Sequence, residues 1–270
     1  MATSMTTAPT DAATSGTVRV RWLASARVLI QLAWARTASP VMRLGMLALV
    51  LLPMLFAILF ASRGTLSGDP VVFLVSRYDQ LVCALATPLL ALLLGTSAFS
   101  AESEDGTLLY LVTTTTPRWW IVAVRTLFAA LGAGALSSLA VWGTGYFAAA
   151  GADPDGVTRA FTIATFYGGA AYASLFTALA LLTRRSLVVG LVYVLFWEGV
   201  LSSTFRALDW LSVRRWMGAV AAVYTEADGV GRDSGPTATF ALAAAAVLVV
   251  FTVYVGGRQL HEPRLTRLGT

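Results

Sequence analysis

Residues Phe99 to Trp120 read FSAESEDGTLLYLVTTTTPRWW. They carry the only dense cluster of acids in the chain, Glu102, Glu104 and Asp105, and long apolar runs lie on both sides. Working outward, Leu81–Phe99 precedes the cluster. After it the chain turns apolar at Trp119 and continues through Leu127–Ala149. Each run is near the roughly 20 residues that cross a bilayer. Met42–Phe60, Phe161–Leu182, Leu187–Phe205 and Thr237–Gly256 have the same character. The pattern predicts an all-α polytopic membrane protein with six transmembrane helices over 42–257, and with the acidic stretch as a short charged segment between the second and third.

Composition supports that class. The chain has 270 residues, 57% of them hydrophobic and 12% charged, with a mean hydropathy of +0.74. A soluble domain of this length cannot cover its surface with so few charges. The sequence contains no lysine. A Walker A phosphate loop ends in Gly-Lys-Ser/Thr, so the chain has no P-loop and is not expected to hydrolyse ATP itself. The single cysteine, Cys83, lies in an apolar run and reads as a packing residue. The single histidine, His261, lies in a basic tail at 258–270, and no His/Cys/carboxylate group has metal-ligand spacing. Neither a metal nor a bound cofactor is expected on this chain.

Residues 1–16 are rich in Ala, Thr and Ser and read as a disordered tail. No secretory signal is expected, because the first long apolar run begins near Met42; an organellar transit peptide stays open. Over 17–41 a helix is predicted. Trp22, Leu23, Ala26, Leu29, Ile30, Ala33 and Trp34 fall on one arc of it, and Arg21, Ser25, Arg27, Gln31 and Arg36 on the other. Such a helix suits a membrane surface, or an ordinary packing site on protein. Ser39-Pro40 ends or bends it.

Arginine distribution predicts sidedness. The termini, the 98–125 segment and Arg184-Arg185 hold twelve arginines; the alternate connections, near 61–80, 151–159 and 206–235, hold seven. The positive-inside rule places the first set in the cytoplasm, with both termini and the acidic stretch. Trp119 and Trp120 then read as an interfacial belt, with Arg125 snorkelling to the same surface. Thr116-Pro117 reads as a helix start.

The acidic segment, 100–118, can form a short surface helix with Leu108, Leu109 and Leu111 as its sticky face and Gly106 as a bend. It is either a docking handle for a soluble partner or a simple connector. Glu198 is an acid well within an apolar run, where an ionised carboxylate must be paired, protonated or wet. It is a transport residue or a structural hydrogen-bonding group. The outer segment 206–235 mixes Leu208, Trp210, Leu211, Val213, Trp216 and Met217 with charges, and reads as an interfacial or re-entrant helix. Small residues over Gly132–Ser138 and Gly168–Ser174 permit close helix packing, in the bundle core or along a cavity.

Glu-x-Glu-Asp-Gly-Thr-Leu-x-x-Leu followed by Thr-Pro-x-x-Trp, from Glu102 to Trp120, resembles the loop between the second and third spans of ABC type-2 permeases. The chain departs from that pattern in placing Arg118 directly after Pro117. A second match, Leu191 to Leu201 followed by Trp210-Leu-Ser-Val-Arg, resembles the fifth span and outer segment of a bacterial subgroup. The resemblance implies the membrane subunit of an exporter in the cell (plasma) membrane. It implies a homodimer, or a heterodimer with a second permease, and ATP and Mg bound on separate ATPase subunits. It makes Glu102, Glu104, Asp105, Gly106, Thr107, Leu108 and Arg118 the ATPase-docking residues, in a coupling helix. It adds no catalytic residue. Two rivals remain from the residues alone: an ion- or proton-coupled carrier titrating at Glu198, and a non-transporting assembly subunit. Substrate identity is not encoded in any motif.

Overall fold

The protein, seen in a computed structural model, is described over residues 26–32, 39–62, 69–99, 117–183, 185–201, 206–231 and 235–259. Among these residues every regular element is helical. The helices, in chain order, are α1 Pro40–Ser62, α2 Pro70–Ser97, α3 Arg118–Ala148, α4 Pro154–Leu182, α5 Ser186–Val200, α6 Val213–Ala221 and α7 Ala238–Gln259. A further helical stretch covers 26–32. Five of them, α1 to α4 and α7, are long and apolar enough to cross a membrane. The run at 187–205 is helical over α5, and its last residues, 202–205, lie outside the described residues.

Local chemistry sets the helix starts. Pro40 opens α1 behind Ser39, whose hydroxyl accepts from the Met42 N–H at 3.4 Å. Asp69 caps α2 through the Val71 N–H at 2.8 Å, with Pro70 at the first position. Asp153 caps α4, accepting from the N–H groups of Thr158 at 2.8 Å and Arg159 at 3.3 Å. Helix α3 begins one residue later than the sequence suggests: Pro117 occupies the N-cap position, and its carbonyl accepts from Trp120 at 3.0 Å. Ser39-Pro40 therefore starts a helix, and the proline at 117 precedes one.

Helix α2 begins eleven residues before the apolar run that marks it in the sequence, so Arg77 and Asp79 stand inside a helix. From Tyr78 to Ala86 it widens into a π-helix, and Thr87 N–H bonds to Val82 O five residues back. The widening ends at Pro88, which has no N–H and would crowd the carbonyl four residues before it; the π turn relieves that conflict.

Helix α4 is the hub, packing against α2, α3, α6 and α7 and, in its last turns, α5. Its approach to α3 is backbone to backbone: a Cβ on Gly169 would lie 2.8 Å from the Gly134 nitrogen and 2.9 Å from its Cα. The small residues at 132–138 and 168–174 thus include the contact that lets these two helices meet. Tyr78, Tyr172 and Phe176 fill the core around them. Interhelical hydrogen bonds add to the packing. Thr252 Oγ1 donates to Ser174 O at 3.0 Å, and the Tyr167 hydroxyl donates to Ala241 O, both tying α7 to α4. By contrast α1 buries only a stripe, Val50, Pro53 and Ala57, and presents its remaining apolar surface outward.

The starts of α1 and α3 and the ends of α2, α4 and α7 share one end of the bundle. Gly45 faces Leu93, Gly256 faces Val122 and Leu181, and Gly257 faces Trp119. The opposite end is closed by 206–231, whose Thr225 Oγ1 donates to Asp155 O at 2.7 Å.

Candidate functional site

Glu198 stands in the last turn of α5 and is 1% exposed. Beyond it the chain turns back through a 3₁₀ turn at Arg206–Leu211 into α6. That return brings a helix N-terminus onto the carboxylate. Ser212 Oγ donates to Glu198 Oε2 at 2.6 Å, and the Val213 N–H donates to Oε1 at 3.1 Å. The Tyr193 hydroxyl, one helical turn earlier on α5, adds a long bond to Oε1 at 3.4 Å. Ser212 is also the N-cap of α6, where its oxygen accepts from the Arg215 N–H at 3.4 Å. The carboxylate therefore satisfies an otherwise orphaned helix N–H and lies at the positive end of that helix's dipole. The geometry is that of a buried carboxyl group whose two oxygens are both engaged in hydrogen bonds. The buried Tyr172 hydroxyl of α4 interacts electrostatically with Glu198 but stands outside normal hydrogen-bond geometry.

Two arginines follow in the first turn of α6, a position the helix dipole disfavours for positive charge. Each has its own carboxylate. Arg214 makes a two-point contact with Asp79 of α2, Nε to Oδ1 at 3.1 Å and NH2 to Oδ2 at 2.5 Å. Arg215 Nε meets Asp209 Oδ1 at 3.1 Å. Burial alone would lower the Arg214 guanidinium's pKa, but the hydrogen bonds and charge of Asp79 outweigh it and hold it above its ordinary value. The apolar face of α6 carries Val213, Trp216, Met217, Val220 and Ala221, all buried. Met217 packs over Gly168 of α4. Helix α6 is thus built into the end of the bundle rather than resting on lipid.

At the other end, Arg125 does not run out to headgroups. It is 2% exposed, donates from NH1 to Ala98 O at 2.7 Å, and lies 5.0 Å over the Phe99 ring. It pins the last turn of α2 to α3 where the acidic segment departs. Trp119 is exposed beside it and Arg118, the first residue of α3, is half-buried. Glu102, Glu104, Asp105, Gly106, Thr107 and Leu108 lie outside the described residues, as does most of the predicted N-terminal helix. Within 26–32 Leu29 packs on Ile121 and Val124 of α3, while Val28, Ile30 and Leu32 are exposed.

Sequence reasoning singled out Glu198 but not its partners, nor the Asp79–Arg214 pair. The two residues of that pair are 135 positions apart, and the only available signal was an acid placed where a helix was about to turn apolar.

Together the apolar helices and the interhelical polar ties define an all-helical, multi-pass membrane protein. Compared with protein-family models and with characterised proteins, the sequence matches none.

Proposed function

We propose that this chain is the membrane-spanning permease subunit of an ATP-binding-cassette exporter. In this reading it converts ATP hydrolysis on a separate ATPase subunit into movement of a substrate across the cell membrane. The observation that carries the proposal is the segment Glu102-Ser-Glu-Asp-Gly-Thr-Leu leading to Thr116-Pro117, set between two long apolar helices. Its flanks support a mechanical role. Arg125 joins the end of α2 to α3, so a displacement of the segment is passed into both helices together. The α5–α6 return, held by Glu198, serves as the outer closure of the pathway and α5 as the sixth crossing. Both termini lie on the cytoplasmic side, the amphipathic N-terminal helix rests at that surface, and two permease subunits pair. ATP and Mg belong to the partner, and this chain supplies no catalytic group.

The test is association and coupling. Purification in mild detergent should bring down an ATPase subunit. Glu102→Arg combined with Glu104→Arg should reduce stimulated ATP hydrolysis and transport by at least tenfold, about 1.4 kcal/mol of coupling, with expression unchanged. Full coupling in that double variant would sink the docking role.

A further inference from the structure

Where α3 ends and α4 begins, a cleft of about 320 Å³ opens to the side of the bundle. Its size falls within the roughly 300–1,000 Å³ of small-molecule sites. Three kinds of chemistry line it. Trp142 and Tyr146, one turn apart on α3, stack with ring centroids 5.7 Å apart, and both are more than half exposed. Asp153 presents an exposed carboxylate whose oxygens take only the two backbone N–H groups that it caps. Arg159 presents an exposed guanidinium that makes no hydrogen bond or ion pair among the described residues. Below them Ile163 and Phe166 continue the groove as exposed apolar surface toward the middle of the bundle.

A negative group, a positive group and an aromatic pair in one interfacial cleft match one class of ligand: a zwitterionic phospholipid. We infer that this cleft binds a phosphatidylethanolamine-type headgroup. The phosphate lies on Arg159, whose planar fork suits phosphate oxygens. The ammonium lies between Asp153 and the Trp142–Tyr146 faces, where ring quadrupole and carboxylate both attract a cation. The acyl chains follow Ile163 and Phe166 into the bilayer. An anionic headgroup without an ammonium meets Asp153 as a like charge, so the cleft discriminates between lipids of the same chain length. Ends of membrane helices where aromatic and charged residues meet lie at headgroup depth, which places the cleft where its ligand is most concentrated. The inference stands whether or not the chain is a permease.

Native mass spectrometry of the full chain in detergent tests it. Phosphatidylethanolamine and phosphatidylglycerol of identical chains are titrated separately, with soluble phosphoethanolamine as competitor. The expected result is about a tenfold preference for phosphatidylethanolamine, displaced by the soluble headgroup. Asp153→Asn removes the charge and keeps one oxygen for the Thr158 N–H while losing the longer bond from the Arg159 N–H; with its unfolding midpoint measured alongside, it should bring the two lipids to parity. Arg159→Gln should weaken both, and Trp142→Leu should weaken phosphatidylethanolamine alone. Parity in the unaltered protein, a preference that survives Asp153→Asn, or binding indifferent to phosphoethanolamine would each overturn the inference.

Discussion

Glu198 spends its charge on a helix end. An ionised carboxylate in an apolar helix is costly to bury, and here Ser212, the Val213 N–H and Tyr193 meet that cost. Removing the carboxylate leaves buried donors unsatisfied, which costs about 2–3 kcal/mol in this setting. Glu198→Ala should therefore lower the thermal-unfolding midpoint in detergent markedly. Glu198→Gln keeps an acceptor for the Val213 N–H, and the Ser212 hydroxyl can rotate to accept from the new amide. It should cost under about 1 kcal/mol and leave transport near its original rate. A carrier that titrates at this position predicts the opposite: a stable protein with transport abolished by Glu198→Gln. The Asp79–Arg214 pair is weaker despite its two-point geometry, because the Asp79 side chain is 47% exposed and solvent screens it. A double-mutant cycle with Asp79→Asn and Arg214→Gln should return a coupling below about 1 kcal/mol. The Arg214 pKa is raised, so its share of that coupling is fully present below its ordinary value and is lost only in strong alkali.

Among the elements, α3 and α4 have the least room to adjust. At their crossing a Cβ on Gly169 would press on the Gly134 backbone, which cannot rotate away as a side chain would. Gly169→Ala should cost about 1–3 kcal/mol through overpacking, read as a lower unfolding midpoint, while Gly218→Ala, which meets open space, should not. Most of α1, α3, α4 and α7 was legible in the sequence, because a lipid-facing helix advertises itself by hydropathy alone. The first turns of α2 were not. Ser76, Arg77, Asp79 and Gln80 depress the local hydropathy, and what admits them to a helix is tertiary: Arg77 lies over the Phe56 and Phe73 rings, and Asp79 holds Arg214. The same blindness hid the site at Glu198. Its anomaly was visible, but the donor fourteen residues on became a partner only when the chain returned from α5 into α6.

At the scale of the molecule, the shared end of the bundle joins observations that were separate in the sequence. Pro40 and Gln259 lie at the end where α2 stops and α3 starts, so both flanks of the described chain and the departure of the acidic segment are on one side of the membrane. The arginine distribution predicts that this side is the cytoplasm, and an ATPase can reach Glu102 and Glu104 only if it is. Cysteine accessibility decides the matter. Cys83 is buried, and Cys83→Ala removes its thiol from the background. In that background Arg185→Cys and Arg258→Cys mark one end, and Glu226→Cys and Asp228→Cys the other; all four positions are exposed. A membrane-impermeant maleimide added to intact cells should label Glu226→Cys and Asp228→Cys at once. It should reach Arg185→Cys and Arg258→Cys only after permeabilisation. The reverse pattern would place the acidic segment outside the cell, beyond the reach of any cytoplasmic ATPase, and would end the permease reading. The Glu198 latch and the lipid cleft would survive that outcome unchanged, since both follow from the fold and not from its orientation.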